Sequence, residues 1–267
     1  MNDFYVGYLP KAPIALARFV RKAVIGLGLL AVTVALLLVH GQMPFANSAF
    51  EYGKVRSFEG TLVTDPYPTL LVARPGQTNQ QEGYSQFLLV APGKHGAGDL
   101  VAGLAGKRVR LQGQLIYRDG KTMVEIMPGS ITSVESRPPI QLASHDLGAV
   151  TVTGEIVDSK CYLGVMNPGS GKVHRDCAAR CLSGGIPPIF ISDDGQEQFL
   201  LVGEDGEALG RDSLREFIAE PITIRGELLQ RGDDRLLMMD PRSLRHASDE
   251  LHATRGNAPN RQNWRKM

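Results

Sequence analysis

Two copies of one strand-rich module follow each other along the chain, and this duplication restricts the possible folds more than any other feature. Gln86-Phe87-Leu88-Leu89-Val90 recurs unchanged as Gln198-Phe199-Leu200-Leu201-Val202. The earlier segment Gly60-Thr61-Leu62-Val63 corresponds to Gly154-Glu155-Ile156-Val157. A chain of 267 residues is long enough for one large domain or two small ones. The duplication therefore predicts two small domains.

The two copies differ by an insertion that holds every cysteine of the chain. Gly60 and Gly154 lie 94 residues apart, whereas Gln86 and Gln198 lie 112 apart, so the second copy is 18 residues longer between the two segments. The additional stretch contains Cys161, His174, Cys177 and Cys181. A duplication in which one copy carries a thiol-rich insertion indicates one structural module and one working module.

Each copy shows five short strand-like stretches separated by Gly, Pro and Asp turn signals. They are residues 58–63, 67–73, 87–91, 109–116 and 123–127 in the first copy, and 150–157, 189–191, 198–202, 222–229 and 235–239 in the second. One short helix is predicted before the fourth strand of each copy, at residues 99–104 and 213–218. This order is typical of the OB-fold barrel.

The modules also resemble the bacterial tRNA-anticodon-like OB modules, which share a Gly-rich first strand and a fourth strand of the form V-x-G-x-(L/V). The fourth strands here read Val109-Arg110-Leu111-Gln112-Gly113-Gln114-Leu115 and Ile222-Thr223-Ile224-Arg225-Gly226-Glu227-Leu228. The expected fold class is mainly β, with an N-terminal transmembrane helix followed by two tandem OB-like five-stranded barrels, the second with a Cys/His-rich insertion. A different small β-barrel fits the same strand count.

The domain boundaries follow from these patterns. We expect a cytoplasmic basic segment at 1–22, a transmembrane helix at 23–43, module 1 at 55–136, a linker at 137–148, module 2 at 149–247 with its insertion at 158–188, and a disordered basic tail at 248–267. The linker prediction rests on the consecutive prolines Pro138 and Pro139, which favour an extended chain.

The N-terminal region predicts a membrane anchor. Residues 23–39 form an uncharged run of 17 residues, close to the length that crosses a bilayer core of about 30 Å. Basic residues precede the run at Lys11, Arg18, Arg21 and Lys22. The positive-inside rule then places the N-terminus in the cytoplasm and the bulk of the chain in the periplasm, as a single-pass protein of the bacterial inner membrane. A cleaved signal peptide ending near Ala46-Asn47-Ser48 is the alternative.

The insertion concentrates soft metal ligands. If residues 174–181 form two helical turns, His174, Cys177 and Cys181 lie on one face. Cys161, just past the first strand, can meet that face across the loop. Three sulfurs and one imidazole make a complete tetrahedral set for zinc, and the set is soft enough for copper(I). Asp158 is the candidate acceptor that orients His174, or a direct ligand.

Other interpretations of the same residues remain open. Cys161 paired with Cys177 or Cys181 would form a disulfide that only stabilises the loop. A redox-active thiol pair and an iron–sulfur or haem ligand are further alternatives, although no Cys-x-x-Cys pair occurs. Positive charge from Lys160, Lys172 and Arg175 is expected to surround the thiols and lower their pKa values, the alternative being that these are solvated loop charges.

The insertion also resembles a motif of bacterial membrane-anchored envelope proteins without an assigned activity, D-x-x-C…H-x-x-C-A-x-x-C-x-x-G-G-x-P. Its elements here are Asp158, Cys161, His174, Cys177, Ala178, Cys181, Gly184, Gly185 and Pro187. The resemblance implies a shared local structure and, through its ligand-like residues, a metal or redox role.

Composition and motifs exclude several function classes. The net charge is +1 and aromatic residues are 6% of the chain, which argues against nucleic-acid binding. No Ser-His-Asp, paired-carboxylate or phosphate-loop arrangement stands out in the sequence, so catalysis is not expected. We expect an accessory subunit of an envelope redox or metal-handling assembly, in contact with the inner membrane and with other envelope proteins. The alternatives are an interaction scaffold with a disulfide-held insertion and a thiol–disulfide oxidoreductase.

Overall fold

The chain divides into two compact units, Met1–Ala46 and Asn47–Met267. The computed structural model describes residues 12–41, 48–74, 83–136, 140, 142–210 and 212–247. The tail predicted at 248–267 lies outside the described residues.

The first unit contains one apolar helix, α1 (Ile14–Gly41). The helix has 28 residues, and the mean hydropathy of its most apolar 18-residue stretch is 2.5. It is therefore long and apolar enough to cross a membrane. It begins at Ile14, directly after Pro13, and so extends before the predicted membrane-spanning segment 23–43. The earlier start has a local cause, because residues 15–22 are mostly good helix formers and proline favours the first positions of a helix.

The first module is a closed five-stranded barrel, barrel 1. The barrel is formed by β2 (Arg56–Val63), β3 (Thr69–Ala73), β4 (Tyr84–Val90), β5 (Lys107–Arg118) and β6 (Lys121–Ile126). Two short strands, β1 (Ser48–Phe50) and β7 (Thr132–Ser136), lie outside the closed ring. The barrel closes in the order β2-β3-β4-β6-β5 and back to β2, with β4 and β6 parallel and the other pairs antiparallel. The short strands β1 and β7 both add to β5.

The second module, barrel 2, repeats this topology. Its strands are β8 (Ser144–Asp158), β9 (Pro188–Ser192), β10 (Gln198–Val202), β11 (Ile222–Arg231), β12 (Asp234–Met238) and β13 (Arg245–His246). The barrel closes as β8-β9-β10-β12-β11 and back to β8, again with one parallel pair, β10–β12. The mainly β fold with two tandem five-stranded barrels is therefore confirmed.

The structure differs from the prediction between the third and fourth strands of each barrel. In barrel 1, residues 99–104 form turns instead of a helix, and Gly103 has a φ of +73°, which a right-handed helix does not accept. In barrel 2, the predicted helix at 213–218 is a 3-10 helix at Arg215–Phe217. Each segment is too short to complete two α-helical turns.

The segment predicted as a linker is partly a strand. β8 begins at Ser144, and Ser144–Asp146 pairs with the end of β11, which runs past the barrel to Arg231. A bulge at Leu228/Leu229 shifts the register there. The long β11 thus provides an edge with which Ser144–Asp146 can pair, and the local sequence of residues 137–148 does not predict that pairing.

The two barrels share an apolar cluster in addition to their own cores. The shared cluster joins side chains of barrel 1, barrel 2 and the insertion, including Tyr67, Val90, Ile116 and Met123 from the first and Ile189, Leu200, Val202 and Leu236 from the second. Polar contacts surround it: the Tyr67 hydroxyl donates to Leu201 O at 2.8 Å. The barrels are therefore packed together through buried apolar surface.

Candidate metal centre

The insertion lies between β8 and β9, where barrel 1 has only residues 64–68 between β2 and β3. It begins with a π-helical turn at Cys161–Val165, continues through a 3-10 turn at Lys172–His174 and enters helix α2 (Arg175–Ser183). The helical turns considered for residues 174–181 are therefore present, and α2 ends directly before Gly184 and Gly185. The helix presents Ala178, Cys181 and Leu182 as its buried residues.

The three cysteines meet at one point. The Sγ of Cys161 lies 3.9 Å from the Sγ of Cys177 and 3.9 Å from the Sγ of Cys181. All three sulfurs lie within 4.8 Å of one another, and all three are free thiols. Cys161 and Cys181 are buried, whereas Cys177 is half-buried. The group can hold a metal ion and opens toward solvent on its Cys177 side.

His174 and Asp158 form a second group that shares Cys161. The Nε2 of His174 lies 3.0 Å from Asp158 Oδ2, and the Cys161 amide donates to Asp158 Oδ1 at 2.8 Å. The side chains of His174 and Asp158 are 2% and 0% exposed. Asp158, Cys161 and His174 also place ligand atoms within 4.8 Å of one another.

The five residues singled out from the sequence are thus brought together as two overlapping groups of three. Asp158 has the contact expected of a residue that orients His174, and Nδ1 is the imidazole nitrogen that this contact leaves free. The binding of one ion by three cysteines and His174 together stays a prediction.

A lysine from the other barrel completes the surroundings of the thiols. Lys94, in the loop that follows β4, places its Nζ 2.7 Å from Cys177 Sγ and 3.7 Å from Cys181 Sγ. This contact raises the pKa of Lys94 above its ordinary value, so the ammonium stays charged. Lys94 is not among the residues predicted for the site, because 83 residues separate it from Cys177 and no motif connects them.

Glycines allow the Lys94 loop to approach the end of α2. The Gly96 amide donates to Gly184 O at 3.0 Å. A Cβ at Gly184 would lie 1.8 Å from Lys94 O, and a Cβ at Gly96 would lie 2.0 Å from Gly185 O. Both contacts are with backbone atoms, which cannot turn away. Any side chain at these glycines would therefore displace Lys94 from the thiols.

The cations that the sequence placed around the thiols point elsewhere. Lys160 is 2% exposed and its Nζ contacts Glu125 of β6 at 2.5 Å, inside the interface with barrel 1. Lys172 and Arg175 both pair with Glu220, at 3.6 Å and 2.7 Å. The expectation that these three residues surround the thiols was wrong. Each has a carboxylate partner that spacing along the chain does not reveal.

The two buried thiols influence each other. The Cys161 thiol donates to the Cys181 sulfur, which lowers the pKa of Cys181, and Lys94 contributes in the same direction. The same hydrogen bond, together with burial, raises the pKa of Cys161. The hydrogen bond from Cys161 and the nearby Lys94 ammonium therefore both favour a thiolate at Cys181.

Comparisons with models of protein families, with curated proteins and with solved structures find no match to this chain. The role of the site is therefore inferred from its own geometry and charge.

Proposed function

We propose that this protein is a membrane-anchored accessory subunit of an envelope redox or metal-handling assembly, and that the insertion of barrel 2 binds one zinc or copper(I) ion. The observation that carries the proposal is the convergence of three thiols, from the π-helical turn and from α2, on one point. The likeness of the insertion to a motif of envelope proteins agrees with this assignment but does not identify the assembly.

The spacing of the sulfurs supports a metal. Two thiolates bound to one tetrahedral zinc, each at about 2.3 Å, lie about 3.8 Å apart. The distances from Cys161 Sγ to the other two sulfurs are both 3.9 Å. An ion can therefore enter this cluster without rearrangement of its backbone. Thiolates are also the ligands that zinc and copper(I) prefer.

Charge balance favours zinc over copper(I). Three thiolates leave a net charge of about −1 with Zn²⁺ and about −2 with Cu⁺. The Lys94 ammonium contacts Cys177 and neutralises one negative charge. A hydrogen bond from a cation to a ligating sulfur also orients that ligand. In this proposal His174 supplies the fourth ligand through Nδ1, with Asp158 holding its ring.

The anchor determines where the site works. Helix α1 is apolar over a length that can span a bilayer, and basic residues precede its most apolar part. In this proposal the N-terminus is cytoplasmic and both barrels are in the periplasm of a bacterial envelope. The partners are the inner membrane and other envelope membrane proteins.

Metal content measured together with a free-thiol count tests the proposal. The full chain is purified in a non-ionic detergent. The expected result is one zinc per chain and thiols that react with a thiol reagent only after chelation. Cys177→Ser and His174→Ala are expected to lose the metal. Lys94→Met is expected to weaken its retention about 10- to 100-fold, the usual effect of removing a residue that supports a ligand. Lys172→Met, at a cation whose partner is Glu220, is the matched control and should retain the metal.

Two outcomes would contradict the metal site. A chain without metal that carries one disulfide and one free thiol would indicate an interaction scaffold with a stabilised loop. A reactive thiol that forms mixed disulfides with envelope proteins would indicate a thiol–disulfide oxidoreductase.

A further inference from the structure

A cavity of about 140 Å³ lies between the two barrels, away from the lysine contact at the thiols. Two of its walls are the two copies of the repeated strand, β4 and β10, and residues of the insertion complete it. Its apolar lining includes Leu88, Leu163, Ile189 and Leu200. The cavity therefore exists only because the duplicated barrels are packed against each other.

One fully buried polar side chain in the lining of this cavity lacks a hydrogen-bond partner within the described part of the chain. The Ser159 hydroxyl is fully buried and makes no hydrogen bond within the described part of the chain. Gln198, at the start of β10, also lines the cavity, and its side chain is half-buried. Its counterpart in the repeat, Gln86, accepts from the Asp233 amide and donates to Asp234 Oδ2 at 3.2 Å. The glutamine of the repeat is thus bound by its neighbours in barrel 1, whereas in barrel 2 its side chain has no protein partner among the described residues.

Unsatisfied buried polar groups indicate a missing partner. More than nine in ten buried polar groups in proteins are hydrogen-bonded, because leaving one unpaired is destabilising. Serine hydroxyls and glutamine amides can each donate and accept. A ligand that carries a hydroxyl or a carbonyl oxygen would satisfy both kinds of group.

The volume of the cavity and the charges of its lining restrict the kinds of ligand that it can bind. An engineered apolar cavity of about 150 Å³ accepts benzene, so a space of this size holds one six-membered ring. The charged residues that line the cavity all have partners: Arg74 pairs with Asp233, Lys121 with Asp234 at 3.0 Å, and Arg235 with Glu197 at 3.0 Å. Because these carboxylates and cations neutralise one another, we expect the ligand to be uncharged.

We propose that the cavity between the barrels binds a neutral single-ring molecule bearing a hydroxyl or carbonyl oxygen, of the phenol or quinone-headgroup type. The ring packs against the leucine and isoleucine side chains. The oxygen bonds to Ser159 and Gln198. This site does not depend on the metal proposed for the cysteines.

Phenol and benzene are the probes that test the proposal, since they differ only in the hydroxyl. Binding to the full chain in detergent is followed by isothermal titration calorimetry. Phenol is expected to bind saturably and more tightly than benzene. Ser159→Ala is expected to weaken phenol binding about five- to tenfold, the value of one hydrogen bond, and to leave benzene unchanged. Ser213→Ala, whose hydroxyl donates to Gly210 O outside the cavity, is the matched control.

Two results would overturn the proposal. One is the absence of saturable phenol binding in a chain that unfolds cooperatively on heating, which would mean that the cavity holds only water. The other is a phenol affinity that neither Ser159→Ala nor Gln198→Leu changes. Thermal unfolding of each variant establishes that it is folded, so a loss of binding is not a loss of structure.

Discussion

Replacing Lys160 by methionine removes a buried ammonium that joins the two barrels. The side chain starts in the insertion, and its Nζ donates to Ala91 O at 2.9 Å and to Gly93 O at 2.7 Å in barrel 1. It also pairs with Glu125, whose side chain is 10% exposed. Methionine fills much of the same volume but satisfies none of these oxygens. The variant therefore leaves a carboxylate and two carbonyl groups without their donor.

The expected loss of stability is large. Breaking a buried ion pair by removing one partner costs about 3–5 kcal/mol. For a folded unit of this size, each kcal/mol lowers Tm by about 2–4 °C, so Tm is expected to fall by about 6–20 °C. Lys172→Met is the matched control, because that side chain is 75% exposed and its pairing with Glu220 is on the surface. A surface pair contributes about 0–1 kcal/mol.

Differential scanning calorimetry of the full chain in detergent, applied to Lys160→Met, Glu125→Gln and the double variant, measures the coupling. The double variant is expected to lose less than the two single variants together, because glutamine leaves no buried charge. The reasoning fails if the two effects add within about 0.5 kcal/mol. It also fails if Lys160→Met is no less stable than the Lys172→Met control.

Two further predictions concern the contacts between the barrels. Gly184→Ala places a Cβ 1.8 Å from Lys94 O and is expected to lower stability by about 1–3 kcal/mol and to weaken metal retention. Gly98→Ala is the control, because no atom lies within 4 Å of its new Cβ. Calorimetry and metal analysis should show no change of stability or metal content in that control. Tyr67→Phe loses the hydrogen bond to Leu201 O and is expected to lower stability by about 1 kcal/mol near neutral pH. Burial raises the pKa of Tyr67, so the unfolded chain ionises first and stability contributed by this group is lost as pH rises above about 10. Thermal unfolding across that range should show a smaller alkaline loss in Tyr67→Phe, and an equal loss would contradict the assignment.

The barrels were predictable because the repeated segments carry strand patterns of their own. Gln86–Val90 and Gln198–Val202 lie in β4 and β10, and all ten strand positions predicted from the sequence contain strands. The sequence patterns do not predict which strands pair when those strands are far apart along the chain. β1 pairs with Ile116–Arg118, and the start of β8 pairs with the end of β11. Both depend on edges that exist only after the barrel has closed.

The site was predictable in its ligand types but not in its charges. The sequence brings Cys161, Cys177 and Cys181 into one loop, so their convergence needs only a short helix. The position of a lysine depends instead on where a carboxylate or a thiol lies in the folded chain. Lys160 is adjacent to Cys161 yet reaches Glu125, while the distant Lys94 reaches Cys177. The spacing of residues along the chain therefore predicts neither the contact of Lys160 with Glu125 nor that of Lys94 with Cys177.

The closure of each barrel has a consequence for how such proteins diversify. All five strands of barrel 2 complete their pairing among themselves, so the connection between β8 and β9 contributes no ladder hydrogen bonds that the barrel requires. The entropic cost of a longer connection grows only with the logarithm of its length. The strand pairing of barrel 2 therefore sets no limit on the length of residues 159–187, whereas their packing against barrel 1, through Lys160 among others, does depend on their sequence. The same closed framework thus carries a connection of five residues in barrel 1 and one that holds the thiol cluster in barrel 2.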